Sequence, residues 1–171
     1  MRIIILLTVL AIAVTTVFAG GNPESAAKSS PTFDKLKSLA GTWKGKTDDG
    51  KPVTISYKVV SAGTSVMETL DMGDTPEAMI TMYHLDGNKT MMTHYCSMGN
   101  QPRMKTTGLA NDGKTLNFSY VDATNLASKK ENHMYKLLFT FKDDDHFSQQ
   151  WTMRMDGTMD HPSMFDFERV K

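Results

Sequence analysis

Residues 90–98 read Thr90-Met91-Met92-Thr93-His94-Tyr95-Cys96-Ser97-Met98. In a β-strand every second side chain shares a face. Met92, His94, Cys96 and Met98 are therefore expected in one row. Thioether, imidazole and thiol are the soft ligands of protein chemistry, and Cys96 is the only cysteine of the chain. Three chemistries compete for this row. It is core filler around one hydrogen-bonded histidine, since Met and free Cys pack well in irregular gaps. Or it lines a pocket for a small apolar ligand. Or it holds a metal, with Cu(I) favoured by sulfur donors. Alternate strand residues stand roughly 6.5–7 Å apart, too far for compact chelation by one strand. A metal would need His133 or Met79 to come across.

The turn Asp86-Gly87-Asn88 sets what faces the row. A two-residue Asp86-Gly87 hairpin pairs Tyr83 with Thr90, Thr81 with Met92 and Met79 with His94. A four-residue loop shifts these pairs by two and keeps the facing. A three-residue loop with a bulge would invert it. The even registers put Met79, Thr81 and Tyr83 beside Met92, His94 and Cys96. Glu68, mid-strand between Val66 and Leu70, is expected to point inward, where a carboxylate needs a partner; Arg103 or Lys58 is the expected one. Arg103 is also expected near the rim as a polar orienting group. His133 opens an aromatic strand with Tyr135 and is placed inward at a barrel end. The candidate ligand-binding set is thus Glu68, Met79, Tyr83, Met92, His94, Cys96, Arg103 and His133. No catalytic or metal-ligand motif is present: there is no Gly-x-Ser-x-Gly elbow, no His-Glu-x-x-His, no phosphate loop and no cysteine pair.

The elements that must position these residues are mostly strands. One short helix is expected after Pro31, capped by Thr32 and ended at Gly41. Turn clusters such as Asp48-Asp49-Gly50, Asn111-Asp112-Gly113 and Asp156-Gly157 then cut the chain into about ten strands. The runs are 41–47, 53–60, 66–71, 78–85, 89–98, 104–110, 116–122, 133–141, 147–155 and 163–170. Several alternate cleanly: Leu116, Phe118 and Tyr120 on one face, Tyr135, Leu137, Phe139 and Phe141 on another, and Phe147, Trp151 and Met153 on a third. Such patterning predicts an all-β fold, an antiparallel up-and-down barrel that leaves no exposed edges.

The junction Leu39-Ala40-Gly41-Thr42-Trp43-Lys44-Gly45-Lys46 resembles the start of the calycin superfamily, which includes lipocalins and fatty-acid-binding proteins. The resemblance implies that Trp43 closes one barrel end and that Arg169, in the last strand, packs across its ring. Gly-x-Trp-x-Gly is also similar to nitrobindins, ten-stranded barrels that bind haem, although Lys46 stands where those tend to have a third glycine. That likeness implies His161 as the axial candidate if haem binds. With Met82-Tyr83-His84, Thr93-His94-Tyr95-Cys96 and Asn100-Gln101-Pro102-Arg103, the folded region as a whole resembles small exported bacterial proteins of unknown function with a calycin-like barrel.

The amino terminus bears on compartment. Met1-Arg2 precedes an apolar stretch, Ile3 to Phe18, ending in Val17-Phe18-Ala19. This reads as a signal peptide over residues 1–19, with no stable membrane insertion after cleavage and a periplasmic or secreted product. Residues 20–30 read as a flexible tether, and 31–171 as one barrel domain. Lysine plus arginine and aspartate plus glutamate each total 19, and no basic block stands out, which removes the electrostatic basis for nucleic-acid binding. A lone cysteine forms no internal disulfide. The sequence leaves the oligomeric state open. The expected function is an exported binder of a small apolar or amphipathic ligand. The alternatives are a haem or metal barrel with redox or isomerase chemistry, or a packed interaction module without a ligand.

Overall fold

The computed structural model describes residues 30–73, 78–160 and 162–171. The expected signal peptide, residues 20–29 of the tether and His161 lie outside the described residues. Helix α1 spans Pro31–Lys37. Strands follow at Gly41–Thr47 (β1), Pro52–Val60 (β2), Ser65–Asp71 (β3), Met79–Asp86 (β4), Lys89–Tyr95 (β5), Gln101–Leu109 (β6), Thr115–Thr124 (β7), His133–Phe141 (β8), His146–Met155 (β9), Thr158–Met159 (β10) and Ser163–Arg169 (β11). The sheet order is β10-β9-β11-β1-β2-β3-β4-β5-β6-β7-β8, and β8 pairs back onto β9. Ten antiparallel strands thus close into a barrel, and β10 is a two-residue appendage on β9.

Period-two patterning explains the closure. Val53, Ile55 and Tyr57, then Val66, Glu68 and Leu70, then Leu137, Phe139 and Phe141 are all buried, with more exposed neighbours between them. Burying each large apolar side chain is worth about 1.5–3 kcal/mol, so a slip of one residue would turn a whole strand's apolar set outward.

One barrel end is shut by the helix and aromatic rings. Phe33 and Leu36 of α1 are fully buried. Ser30, not Thr32, caps the helix: its Oγ accepts from Phe33 N at 3.1 Å, with Pro31 in the first turn. Thr32 is drawn away because its Oγ1 accepts from Leu109 N on β6 at 2.9 Å. The helix stops at Lys37 with Ser38 as its C-cap, short of Gly41, which already belongs to β1. Trp43 sits beneath Arg169, whose guanidinium lies 4.0 Å from the ring centroid. Arg169 also donates to Ala40 O and Ser38 O at 3.0 Å each and to Asp144 O, and Trp43 Nε1 donates to Leu39 O at 2.8 Å. Gly45 must be glycine, because a Cβ there would stand 2.3 Å from Asp166 O and 2.7 Å from the Phe167 ring.

The β4–β5 hairpin turns at Gly87-Asn88, with Asp86 paired to Lys89 and Gly87 at φ +63°. A glycine with positive φ at the first loop position suits a tight hairpin turn. Tyr83 therefore pairs with Met92 and Thr81 with His94. The register is two residues from the Asp86-Gly87 reading, and the facing is the even one. The expected row breaks at its far end. Strand β5 stops at Tyr95, and Gly99 N donates to Cys96 O at 2.9 Å in a turn. Met98 rides on that turn and is 43% exposed.

Candidate functional site

Four strands bring polar side chains into the middle of the barrel: Glu68 from β3, Thr81 and Tyr83 from β4, His94 from β5, and Gln149 with Trp151 from β9. Tyr57 of β2 completes the set. All are buried. Glu68 Oε2 accepts from Tyr83 Oη at 2.7 Å and from Gln149 Nε2 at 2.9 Å, and Glu68 Oε1 accepts from Thr81 Oγ1 at 3.2 Å. Gln149 Nε2 also reaches Tyr57 Oη at 2.9 Å, and Trp151 Nε1 donates to Gln149 Oε1 at 3.0 Å. Thr81 Oγ1 lies 2.9 Å from His94 Nδ1.

Burial shapes the electrostatics of this network. Desolvation pushes the Glu68 carboxyl above its ordinary range, against the hydrogen bonds of Tyr83, Tyr57, Gln149 and Thr81, which hold it down. Tyr57 and Tyr83 are pushed well above the usual phenol value, first by burial and then by the nearby Glu68 charge. Burial lowers His94 to about 4, so the imidazole is neutral at ordinary pH. The His94 ring packs on Trp151, centroids 4.7 Å apart. Its Nε2 is buried and has no hydrogen-bond partner, an arrangement that costs free energy unless something fills it.

Above His94, toward the end of the barrel away from the helix, lies a cavity of about 130 Å³. His94 lines it together with Leu70, Met72, Met79, Met134, Trp151, Ser163 and Phe165. The imidazole is thus a partition, with the Glu68 network on one side and an apolar, methionine-rich chamber on the other. A dry apolar cavity of about 150 Å³ is enough to hold benzene. The cavity is smaller than the pockets of about 300–1,000 Å³ that hold drug-sized ligands and cofactors, so a haem does not fit inside it. Among the described residues no group of three or more His, Cys, Asp or Glu is placed to hold a metal ion.

The structure sorts the sequence candidates by place. Glu68 and Tyr83 sit in the network, Met79 in the cavity wall, and His94 in both. Met92 is fully buried deeper in the core, opposite Tyr83 and Met104. Cys96 is buried just past the end of β5, where burial raises its thiol above the usual range; it does not line the cavity. Arg103 is corrected: it pairs across the sheet with Thr93, next to but not on the His94 face, and forms a bidentate ion pair with Asp122 on the outside. Its side chain is 45% exposed. Glu68 therefore has neutral donors, and neither Arg103 nor Lys58 reaches it.

His133 is likewise corrected. Met134 pairs with Met153 but Lys136 pairs with Thr152, so Tyr135 is an extra residue in β8. This bulge turns Tyr135 away from Leu137 and Phe139. It also leaves His133 opposite Arg154, on the face away from Met134 and the cavity. There His133 packs on Tyr120 at 4.9 Å between centroids, its Nδ1 lies 2.6 Å from Glu131 O, and Arg154 stacks over Tyr135 at 4.2 Å. Sequence reasoning missed Tyr57, Gln149 and Trp151 as site residues. For Gln149 a signal existed: it stands at an inward position between Phe147 and Trp151, where an amide must find partners. A larger groove of about 540 Å³ runs outside along β1 and β11 between Lys44, Lys46, Lys142, Asp166 and Glu168. It is an open trough of solvated charges.

The fold has a known counterpart. The barrel matches the structure of a DUF3598-family protein of unknown function from Nostoc punctiforme PCC 73102, with a TM-score of 0.53 and 13% identity. The match covers 79% of this chain and 49% of that one, so the chain spans about half the length of the protein it resembles. At that identity the likeness shows the fold alone. No family model and no curated protein matches the chain.

Proposed function

We propose that this protein is an exported, calycin-like barrel that binds a small, compact and largely apolar molecule in the cavity beside His94. The observation that carries the reading is the unpartnered Nε2 of a buried histidine whose ring lines a largely apolar chamber, in which Ser163 at the edge is the other polar residue apart from the Trp151 indole. A polar atom of that kind orients a ligand, while the methionines adapt to its shape. The Trp43–Arg169 lock at the opposite end supports the calycin-like assignment. The apolar amino-terminal stretch supports export.

Titration of protein labelled at its methionine methyls with benzene tests the reading. Met79 and Met134 should shift in a saturable way, and Met104, buried elsewhere in the core, should not. Leu70→Phe, which adds volume at the cavity wall, should abolish the response. Saturation absent for both cavity methionines would leave a packed barrel and remove the binding claim.

A further inference from the structure

The network beneath the cavity determines what His94 can offer a ligand. An indole N–H only donates, so Trp151 Nε1 at 3.0 Å fixes the end of the Gln149 amide that is oxygen. The amide nitrogen then directs its two hydrogens at Tyr57 Oη and Glu68 Oε2, each at 2.9 Å. Tyr83 donates to the same carboxyl at 2.7 Å. Donors from β4 and β9 thus converge on Glu68. Burial raises the carboxyl, but each of these neighbours can donate to it, and such a shell favours the ionised carboxylate.

An ionised carboxylate only accepts, so Thr81 gives its single hydroxyl hydrogen to Glu68 Oε1. Having given it, Thr81 Oγ1 can only accept from its other neighbour, His94 Nδ1, at 2.9 Å. The neutral imidazole has one hydrogen, and it sits on Nδ1. Nε2 is left as a bare lone pair. Had Glu68 held a proton on Oε1, the chain would run the other way and Nε2 would carry the hydrogen.

We infer that the cavity selects small molecules bearing a hydrogen-bond donor, a hydroxyl or an N–H on an apolar body, because the chain Glu68–Thr81–His94 presents Nε2 as an acceptor. The inference rests on the binding reading above. Glu68 and Thr81 touch no ligand; they are positioning residues that act through His94.

Two measurements on the full chain test it separately from that reading. Heteronuclear NMR of nitrogen-labelled histidine in the ligand-free protein should find His94 with its hydrogen on Nδ1. Pyrrole, which donates an N–H, should bind about tenfold tighter than furan, a ring of the same shape without one, the worth of roughly one hydrogen bond. Thr81→Val should release the tautomer and bring the two rings within about twofold, while Thr81→Ser should retain both properties. The serine variant keeps the test decisive should valine not fold. Equal binding of the two rings, tighter furan, or a hydrogen on Nε2 overturns the inference and leaves the binding reading intact. Binding of neither ring overturns both, whatever the tautomer.

Discussion

At the scale of single residues, His94 and Glu68 couple the same network to pH with opposite signs. His94 is held at about 4 in the fold against an ordinary 6.5. Its contribution is fully present above pH 6.5 and is lost as pH falls toward 4, because the unfolded chain then binds a proton that the folded chain refuses. That gap amounts to roughly 3 kcal/mol. Glu68 is raised in the fold from 4.5. Its contribution is full below 4.5 and is lost as pH rises through the folded value. His94→Gln keeps an amide near Thr81 and removes the titration. Compared with wild type, this variant should lose less stability between pH 6.5 and 4 in urea unfolding at a series of pH values. Parallel pH curves for the two proteins would mean that His94 is solvated and protonated in the fold. Legibility at this scale was partial. Period two, together with the even-length options for the Asp86-Gly87-Asn88 turn, placed Glu68, Tyr83 and His94 inward. Arg103 went the other way because it follows the Cys96–Asn100 turn, whose length no residue pattern specified, and the pairing it resumes has Thr93 opposite.

At the scale of elements, the strands were legible and their irregularities were not. Ten runs read from alternation correspond to the ten barrel strands, since turn residues with distinct chemistry separate them. The Tyr135 bulge left no comparable trace. Tyr135-x-Leu137-x-Phe139 alternates as well as a regular strand, and the bulge is visible only as a shift of partner on β9. The cation–π lock between β1 and β11 was legible only through resemblance, because nothing local to Arg169 specifies that Trp43 lies across from it. The lock makes a prediction at its own scale. Trp43→Ala removes a fully buried ring and should cost about 3–5 kcal/mol. Arg169→Ala removes the stacked guanidinium and its bonds to Ser38, Ala40 and Asp144. The double variant should lose less than the sum, by about 1 kcal/mol, the worth of a partly desolvated cation–π contact. Strict additivity in a thermodynamic cycle would show that the two side chains do not share an interaction in solution.

At the scale of the whole molecule, closure joins the first strand of the barrel to the last. Trp43 on β1 pairs with Arg169 on β11, and β11 also pairs with β9. The barrel has no disulfide to hold it shut, so its integrity depends on this one strand filling the space between β9 and β1. The contacts involved are far apart in sequence, and their loop-closure entropy must be met before they stabilise anything. Removing residues 163–171 should therefore act on more than its own nine positions. It would strip pairing from both β1 and β9, expose two strand edges, and uncover Phe147 and Trp43, which pack against Phe167 and Arg169. Exposed edges beside apolar surface are templates for association. The truncated chain should lose its near-ultraviolet circular dichroism and sediment as aggregate, while the full chain gives one cooperative transition. A truncated protein that stayed monomeric, with a cooperative transition of its own, would show that nine strands make an independent open sheet and that β11 is a lid on it. Under that outcome the cavity should also change, because Ser163 and Phe165 of β11 form part of its wall, and benzene binding would be the measurement that separates a missing wall from a missing fold.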